Sequence, residues 1–200
     1  MHSKEIHQFT GFGENEMIYD ISKNIAVGMD VYEGDPEVKV EEVFTIANDG
    51  FSLRRIEMST HTGTHLDAPS HFFENGKSID ELSLVLFFGK ALVVETFDDE
   101  VPPGTTRLLG KNGYLSEKRA QELVENGLKL IGTVYPSIEL DSTEIVHEIL
   151  LGNGIIILEN LVLREIKAGN YTLAAFPLKI SGADGSPVRA VLMDDLCGSL

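Results

Sequence analysis

His61-Thr62-Gly63-Thr64-His65-Leu66-Asp67-Ala68-Pro69-Ser70-His71-Phe72 is the stretch that concentrates the chemistry of this 200-residue chain. It holds three of the six histidines and a carboxylate, spaced by small residues that leave room around them. Neutral imidazole and carboxylate suit zinc, manganese or iron. With no cysteine among them, the donors describe an open, catalytic site rather than a closed thiolate cage. Polar groups buried side by side without an ion or partners would each cost on the order of several kcal/mol, so the cluster calls for one or the other.

The backbone that carries it is predicted from spacing. His61 and His65 stand four apart, as on one helical face, but Thr62-Gly63-Thr64 are poor helix formers and Pro69 follows closely. An extended chain, continuing from Phe51–Ser59, places His61, Gly63, His65 and Asp67 on one face by period-two geometry. One strand is thus expected to offer three ligands, with Gly63 leaving space for the ion. Pro69 bends the chain away, so His71 need not be a ligand and can face the same pocket from another side.

Composition sets the outer bounds. A hydrophobic content of 42% without a Pro/Gly/Ser-rich linker fits one domain over residues 1–200. The net charge of -16 argues against nucleic acid or an anionic membrane as partner, since both select basic surfaces. No apolar run approaches eighteen residues and Met1-His2-Ser3-Lys4-Glu5 is no leader, so a cytoplasmic protein is expected. Cys197 is the single cysteine and can make no intramolecular disulfide.

Along the chain, 17–22 reads as a first strand and Val31-Tyr32-Glu33-Gly34-Asp35-Pro36 as a turn. Strands are expected over 38–47 and 51–60, joined by Asn48-Asp49-Gly50. Ser78 should cap a short helix to Leu84, and 89–97 fits a buried strand. An amphipathic helix over 116–126, stopped by Gly127, leads into a strand over 128–134, a step of α/β type. Asp141-Ser142-Thr143-Glu144 has the form of a capping box for a helix to about Leu151 that carries His147. Gly154–Leu158 is a buried strand ending in Glu159-Asn160, and 171–180 is a further strand. Gly182 and Gly185 are expected to supply the unusual backbone angles of a tight turn before a last strand over 188–193. By itself His147 reads as an ordinary helix histidine, and Glu159 reads equally as a cap for the next helix, a role Asn160 could also fill, or as a site carboxylate.

The central stretch resembles the H-x-G-T-H-x-D-x-P-x-H-F signature of the cyclase-like metal-dependent hydrolases, which include bacterial formamidases and isatin hydrolases, and it meets every fixed position. The resemblance implies that His61, His65 and Asp67 bind one divalent ion, that Asp67 bridges to a second, and that His71 transfers protons. His147 and, twelve residues on, Glu159 in an E-N-L context match the family's ligands for the second ion. Zinc is the expected metal, as one or two ions, with manganese the alternative. The implied fold is the family's swivelling β/β/α architecture, an α/β domain with a mixed central sheet and flanking helices. Homodimers or homotetramers are implied as well.

Two departures from the family pattern stand out. Where formamidases carry W-P-G-D-P, with the tryptophan on the substrate wall, this chain has Tyr32-Glu33-Gly34-Asp35-Pro36 and no tryptophan anywhere. An R-T-G-W-like element is reduced to Arg107–Tyr114, which implies a shortened or more open pocket rim. The ligand set points to hydrolysis of a carbon–nitrogen amide bond in a small molecule, with hydroxide generated at the metal and His71 protonating the amine. An aryl formamide is the leading substrate and a cyclic amide the rival, and a non-catalytic metal-binding homologue is the reading from another class.

Overall fold

The computed structural model describes residues 8–10, 17–140 and 143–194. In chain order the elements are β1 (Gln8–Thr10), β2 (Met17–Asp20), β3 (Lys39–Phe44), α1 (Ile46–Asp49), β4 (Leu53–Glu57) and β5 (His65–Asp67). There follow β6 (Phe88–Thr96), β7 (Arg107–Asn112), α2 (Glu117–Glu125), β8 (Leu130–Thr133), α3 (Ile145–Gly152), β9 (Ile156–Glu159), β10 (Gly169–Ala174), β11 (Gly185–Pro187) and β12 (Val191–Asp194). Ten strands form one mixed sheet in the order β1-β2-β12-β10-β6-β7-β8-β9-β5-β11. The central run β6-β7-β8-β9 is parallel, and the strands on both sides of it pair antiparallel. The expected mixed sheet with flanking helices is the observed one.

Parallel strands are buried on both faces, and here alternate residues feed two separate cores. Val93, Leu109, Leu130, Ile156 and Leu158 face a layer that includes Leu66, Leu173 and Leu192. Their neighbours Val94, Leu108, Ile131 and Ile157 face the helices, packing on Leu123 of α2 and on Val146, Leu150 and Leu151 of α3. The Ser116 hydroxyl accepts from the Arg119 amide to start α2, and Gly127, at φ +79°, stops it as the sequence predicts.

This alternation positions the site. Asp67 lies opposite Ile157 and His65 opposite Glu159 in the antiparallel β5–β9 pair. Residues directly opposite share a face, so His65, Asp67 and Glu159 point to the helical side while Leu66 and Leu158 point away. α3 buries Val146, His147, Leu150 and Leu151 together, which brings His147 over the same spot.

Several expectations are corrected. β4 ends at Glu57, and only His65–Asp67 of the central stretch is a strand. Before it the chain turns, with the Thr62 amide on the Ser59 carbonyl and Gly63 in the left-handed region at φ +66°. His61 therefore reaches the site from a turn rather than from one continuous strand. Residues 45–50 form a helical turn, α1, capped by Thr45, in place of a tight hairpin. Ser78 does cap, in a capping box with Glu81, but the helix is a single 3₁₀ turn, Ile79–Glu81. Arg107–Asn112 is not a pocket rim. It is the central strand β7, with Arg107–Gly110 buried and Lys111 paired to Glu95 at 2.7 Å. The strand expected over 171–180 ends at Ala174, and Pro177 makes an isolated bridge to Val188. Gly182 has the positive φ of a turn, +70°, but Gly185 sits in β11 for lack of room: a Cβ there would lie 2.7 Å from His61 Cε1 and from the Leu66 carbonyl oxygen.

Candidate metal centre

β5 and β9 supply the buried floor of the site. Asp67 is 1% exposed and Glu159 4%, and two carboxylates taken out of water together demand a cation. His65 donates its Nδ1 proton to the Gly63 carbonyl at 3.0 Å, which fixes the tautomer. Its Nε2 lone pair then faces Asp67 Oδ1 at 3.3 Å and Glu159 Oε2 at 3.6 Å. This is the second use of Gly63: its left-handed turn aims the carbonyl that orients the imidazole.

His147 is held in the same manner by a residue the sequence does not single out. Glu139 Oε1 lies 2.5 Å from His147 Nδ1, and the Glu139 carboxylate also accepts the amides of Val146 and His147 at 3.0 and 3.2 Å. Glu139 thus caps α3. Residues 141 and 142 of the expected capping box lie outside the described residues, and Glu144 gives no side-chain cap, adopting φ 59° just before the helix. With Nδ1 engaged, His147 Nε2 faces Glu159 Oε1 at 3.5 Å and Asp67 Oδ2 at 3.9 Å. Phe72 stacks on its ring at 5.1 Å. The Ile138 amide donates to Glu159 Oε1 at 2.7 Å, so the loop that delivers Glu139 also fixes Glu159.

His61 closes the other side. Its Nδ1 meets Asp67 Oδ1 at 2.8 Å and its Nε2 meets Asp184 Oδ2 at 3.0 Å. Asp184 also accepts from the Thr60 hydroxyl at 2.9 Å and lies 3.3 Å from His71 Nδ1. The rings of His61 and His71 are 4.1 Å apart. Asp184 is the second residue of the site that the sequence does not single out: Gly182–Pro187 reads as a tight turn, in a segment that resembles one frequent in the family.

Two ligand sets emerge, His61/His65/Asp67 and Asp67/His147/Glu159, each with donor atoms within 4.8 Å of one another and with Asp67 in common. All five expected ligands come together, and His71 stands beside the first set. His61, His71 and Asp184 also converge within that limit.

The electrostatics agree with a cation site. Burial opposes charge on His61 and His147, yet hydrogen bonds and charge from Asp67 and Asp184, and from Glu159, Asp67 and Glu139, hold both imidazoles up to about 9. Burial would raise Asp67, but the charge on His65 and the hydrogen bonds from His61 and His65 keep it far below the usual carboxylate range. Glu159 is pushed up by burial and by the charge of Asp67. The cluster gathers positive charge wherever it can, which is what a divalent ion supplies. His71 differs. Burial, with His61 adding to it, lowers its pKa, so near neutrality it is an unprotonated imidazole.

The donors line a cavity of about 760 Å³, a volume suited to a small molecule. Tyr32, 54% exposed, forms part of its mouth with Glu33, Gly34 and Asp35. Asn160, at the end of β9, takes a left-handed φ of 61° that asparagine tolerates better than most residues.

The Cyclase family model, described as a putative cyclase, matches residues 19–109, a segment that contains the histidine-rich stretch. A kynurenine formamidase of Salinibacter ruber is 35% identical over 207 residues, covering 88% of this chain and 97% of the relative. The chain belongs to the cyclase-like hydrolase family. A predicted metal-dependent hydrolase from Bacillus stearothermophilus superposes with a TM-score of 0.77 at 28% identity, covering 90% of this chain and 98% of its own. Isatin hydrolase A from Labrenzia aggregata shares the fold, with a TM-score of 0.77 at 23% identity over 90% and 94% of the two chains. The protein is thus a cyclase-like amidohydrolase, and its donors suit a divalent metal. No helix among the described residues is long and apolar enough to cross a membrane.

In this cyclase-like hydrolase Glu139 is a testable support of the candidate metal ligands. Glu139→Gln keeps the shape but removes the charge behind His147, and metal affinity is expected to fall about 10- to 100-fold. Competition with a chromophoric chelator reads this directly. Unchanged affinity would reduce Glu139 to a helix cap.

Proposed function

We propose that this enzyme hydrolyses the carbon–nitrogen bond of a small aryl formamide, the arylformamidase reaction on N-formylkynurenine. The observation that carries the reading is the pair of ligand sets sharing Asp67, with His71 beside them at the edge of a cavity of about 760 Å³. Relatives that match most of the chain are kynurenine formamidases, which supports the same substrate class.

Water adds across the amide bond, its hydroxyl going to the carbonyl carbon and its proton to the departing amine. His61, His65 and Asp67, and Asp67, His147 and Glu159, would hold divalent metal, which would supply Lewis acidity to polarise a carbonyl and acidify water. His71, unprotonated at rest, accepts the water's proton and returns it to the amine nitrogen. Asp184 orients His71 through Nδ1 and, from the same oxygen, holds His61. Phe72 screens the His147 side of the cavity, and Tyr32 meets the substrate at its mouth. We assign zinc as the metal, with manganese as the alternative, because nitrogen and oxygen donors accept both. A homodimer or homotetramer in the cytoplasm, built from one domain per chain, completes the reading.

Tyr32 in place of the formamidase tryptophan favours a second reading, hydrolysis of a cyclic amide as in isatin hydrolase. Metal analysis of protein purified without chelator, followed by turnover of N-formylkynurenine and isatin before and after stripping and restoring zinc or manganese, separates the cases. Two ions per chain with metal-restored formamide turnover is the expected result. Lactam turnover alone moves the assignment to the second reading. Bound metal without turnover on any amide leaves a non-catalytic binding protein, and no metal binding at all removes the mechanism.

A further inference from the structure

Lys23, half-buried just after β2, lines the cavity that holds the candidate ligands, and none of the proton transfers proposed for the reaction uses it. Its backbone is held beside those ligands. The Lys23 amide donates to Thr64 Oγ1 at 2.8 Å, and the Thr64 hydroxyl donates in turn to the Asn160 carbonyl at 2.7 Å. Two residues earlier, Ile21 donates to the Ala190 carbonyl at 3.0 Å and accepts the Val162 amide at 2.9 Å. Thr64 precedes His65 and Asn160 follows Glu159, so one run of hydrogen bonds ties Lys23 to both β5 and β9.

The side chain is aimed as well. Its ammonium donates to Asn160 Oδ1, and Asn160 also lines the cavity. Asn160 is 8% exposed and fixed by its own amide on the Tyr135 carbonyl at 3.0 Å. A donor held in place before a ligand arrives loses less freedom on binding it. Charge makes the position distinctive. Among the described residues that line the cavity, Lys23 is the single lysine or arginine, whereas Asp30, Glu33, Asp35, Glu139, Glu144 and Glu159 are carboxylates. An anionic group on a bound molecule is repelled by these six and drawn to the ammonium. The candidate metal sets serve the scissile amide, so an anionic group elsewhere on the same substrate falls to Lys23.

We propose that Lys23 is a specificity-determining residue that receives a carboxylate carried by the substrate away from the scissile amide. The inference rests on the amide-hydrolysing reading of the site and narrows it to amino-acid-type amides. A carboxylate accompanied by an ammonium enters the acidic cavity as a zwitterion rather than as a net anion, so the six carboxylates do not oppose it. The two substrates considered above differ in this respect. N-formylkynurenine ends in an amino-acid carboxylate, and isatin is an uncharged lactam with none to offer.

Lys23→Met keeps most of the side chain and removes its charge, and Lys23→Arg restores the charge. Isothermal titration of the full chain in the presence of zinc, with kynurenine and with its methyl ester, reads recognition without turnover. Binding of the acid relative to the ester is expected to weaken on the order of 10- to 100-fold in Lys23→Met, the worth of one hydrogen bond to a charged group, and to recover in Lys23→Arg. Kinetics on N-formylkynurenine and its methyl ester should show the same change in ratio, carried by KM, at wild-type metal content. Lys23→Gln replaces Lys23→Met if circular dichroism shows that variant unfolded. An unchanged acid-to-ester ratio overturns the proposal, as does a wild type that does not bind kynurenine. An equal loss on acid and ester also overturns it, and would make Lys23 a support for Asn160. Absent formamide turnover with the binding contrast intact strikes the formamidase reading alone and leaves Lys23 as a carboxylate site. Formamide turnover with a ratio indifferent to Lys23 does the reverse.

Discussion

Replacing His71 with alanine is expected to lower turnover by roughly two or more orders of magnitude while the metal content stays at the wild-type level. The geometry separates the two effects. His71 touches Asp184 and stacks beside His61, but it belongs to neither ligand set that shares Asp67. Its side chain is about one-third exposed, against 1–14% for the five residues of those sets, so the imidazole borders the cavity rather than the buried floor. Removing it takes away a proton acceptor and leaves His61, His65, Asp67, His147 and Glu159 in place. Single-turnover kinetics alongside plasma emission analysis of bound metal reads both quantities on one sample. If metal is lost together with activity, His71 is a ligand, as its convergence with His61 and Asp184 would then explain.

Asp67→Asn is expected to reduce bound metal to a small fraction of wild type and turnover by about three orders of magnitude, the equivalent of roughly 4 kcal/mol of transition-state stabilisation. Asparagine preserves the size of the side chain and an oxygen for His61 Nδ1. It removes the negative charge that both ligand sets have in common. No other residue of the site belongs to both. Chelator-treated wild type and the variant should therefore lose the same metal-linked increment of melting temperature. Near-stoichiometric metal and normal turnover in Asp67→Asn would exclude Asp67 as the shared ligand. A variant that binds one ion with reduced turnover would instead assign the sharing to Glu159.

The candidate donors of the central stretch were legible in the sequence because they are local. His61, His65, Asp67 and His71 fall within eleven residues, whereas His147 and Glu159, twelve apart, stood out only through the resemblance to the family. The backbone beneath them was less so. Period-two spacing placed His61 on the strand, whereas Gly63 turns the chain and only His65–Asp67 is extended. Both paths bring His61 to Asp67, so donor spacing alone does not distinguish them. Arg107–Asn112 went the other way. Its resemblance to a rim element hid an apolar run, Leu108-Leu109, that the sheet buries on both faces.

Donor chemistry and the strand and helix periods of the α/β core are properties of residue type and order, and the sequence determined them by itself. Tertiary structure decided which groups orient the donors. Glu139 reaches His147 only because Ile138 is anchored on Glu159 and α3 begins where its carboxylate can accept two amides. Asp184 reaches His61 across 123 positions because β11 pairs with β5, and Gly185 leaves that approach open. A carboxylate in a loop carries no periodic signal of what it will face. Its partner is set by sheet register and helix placement, which are non-local contacts that local spacing does not encode.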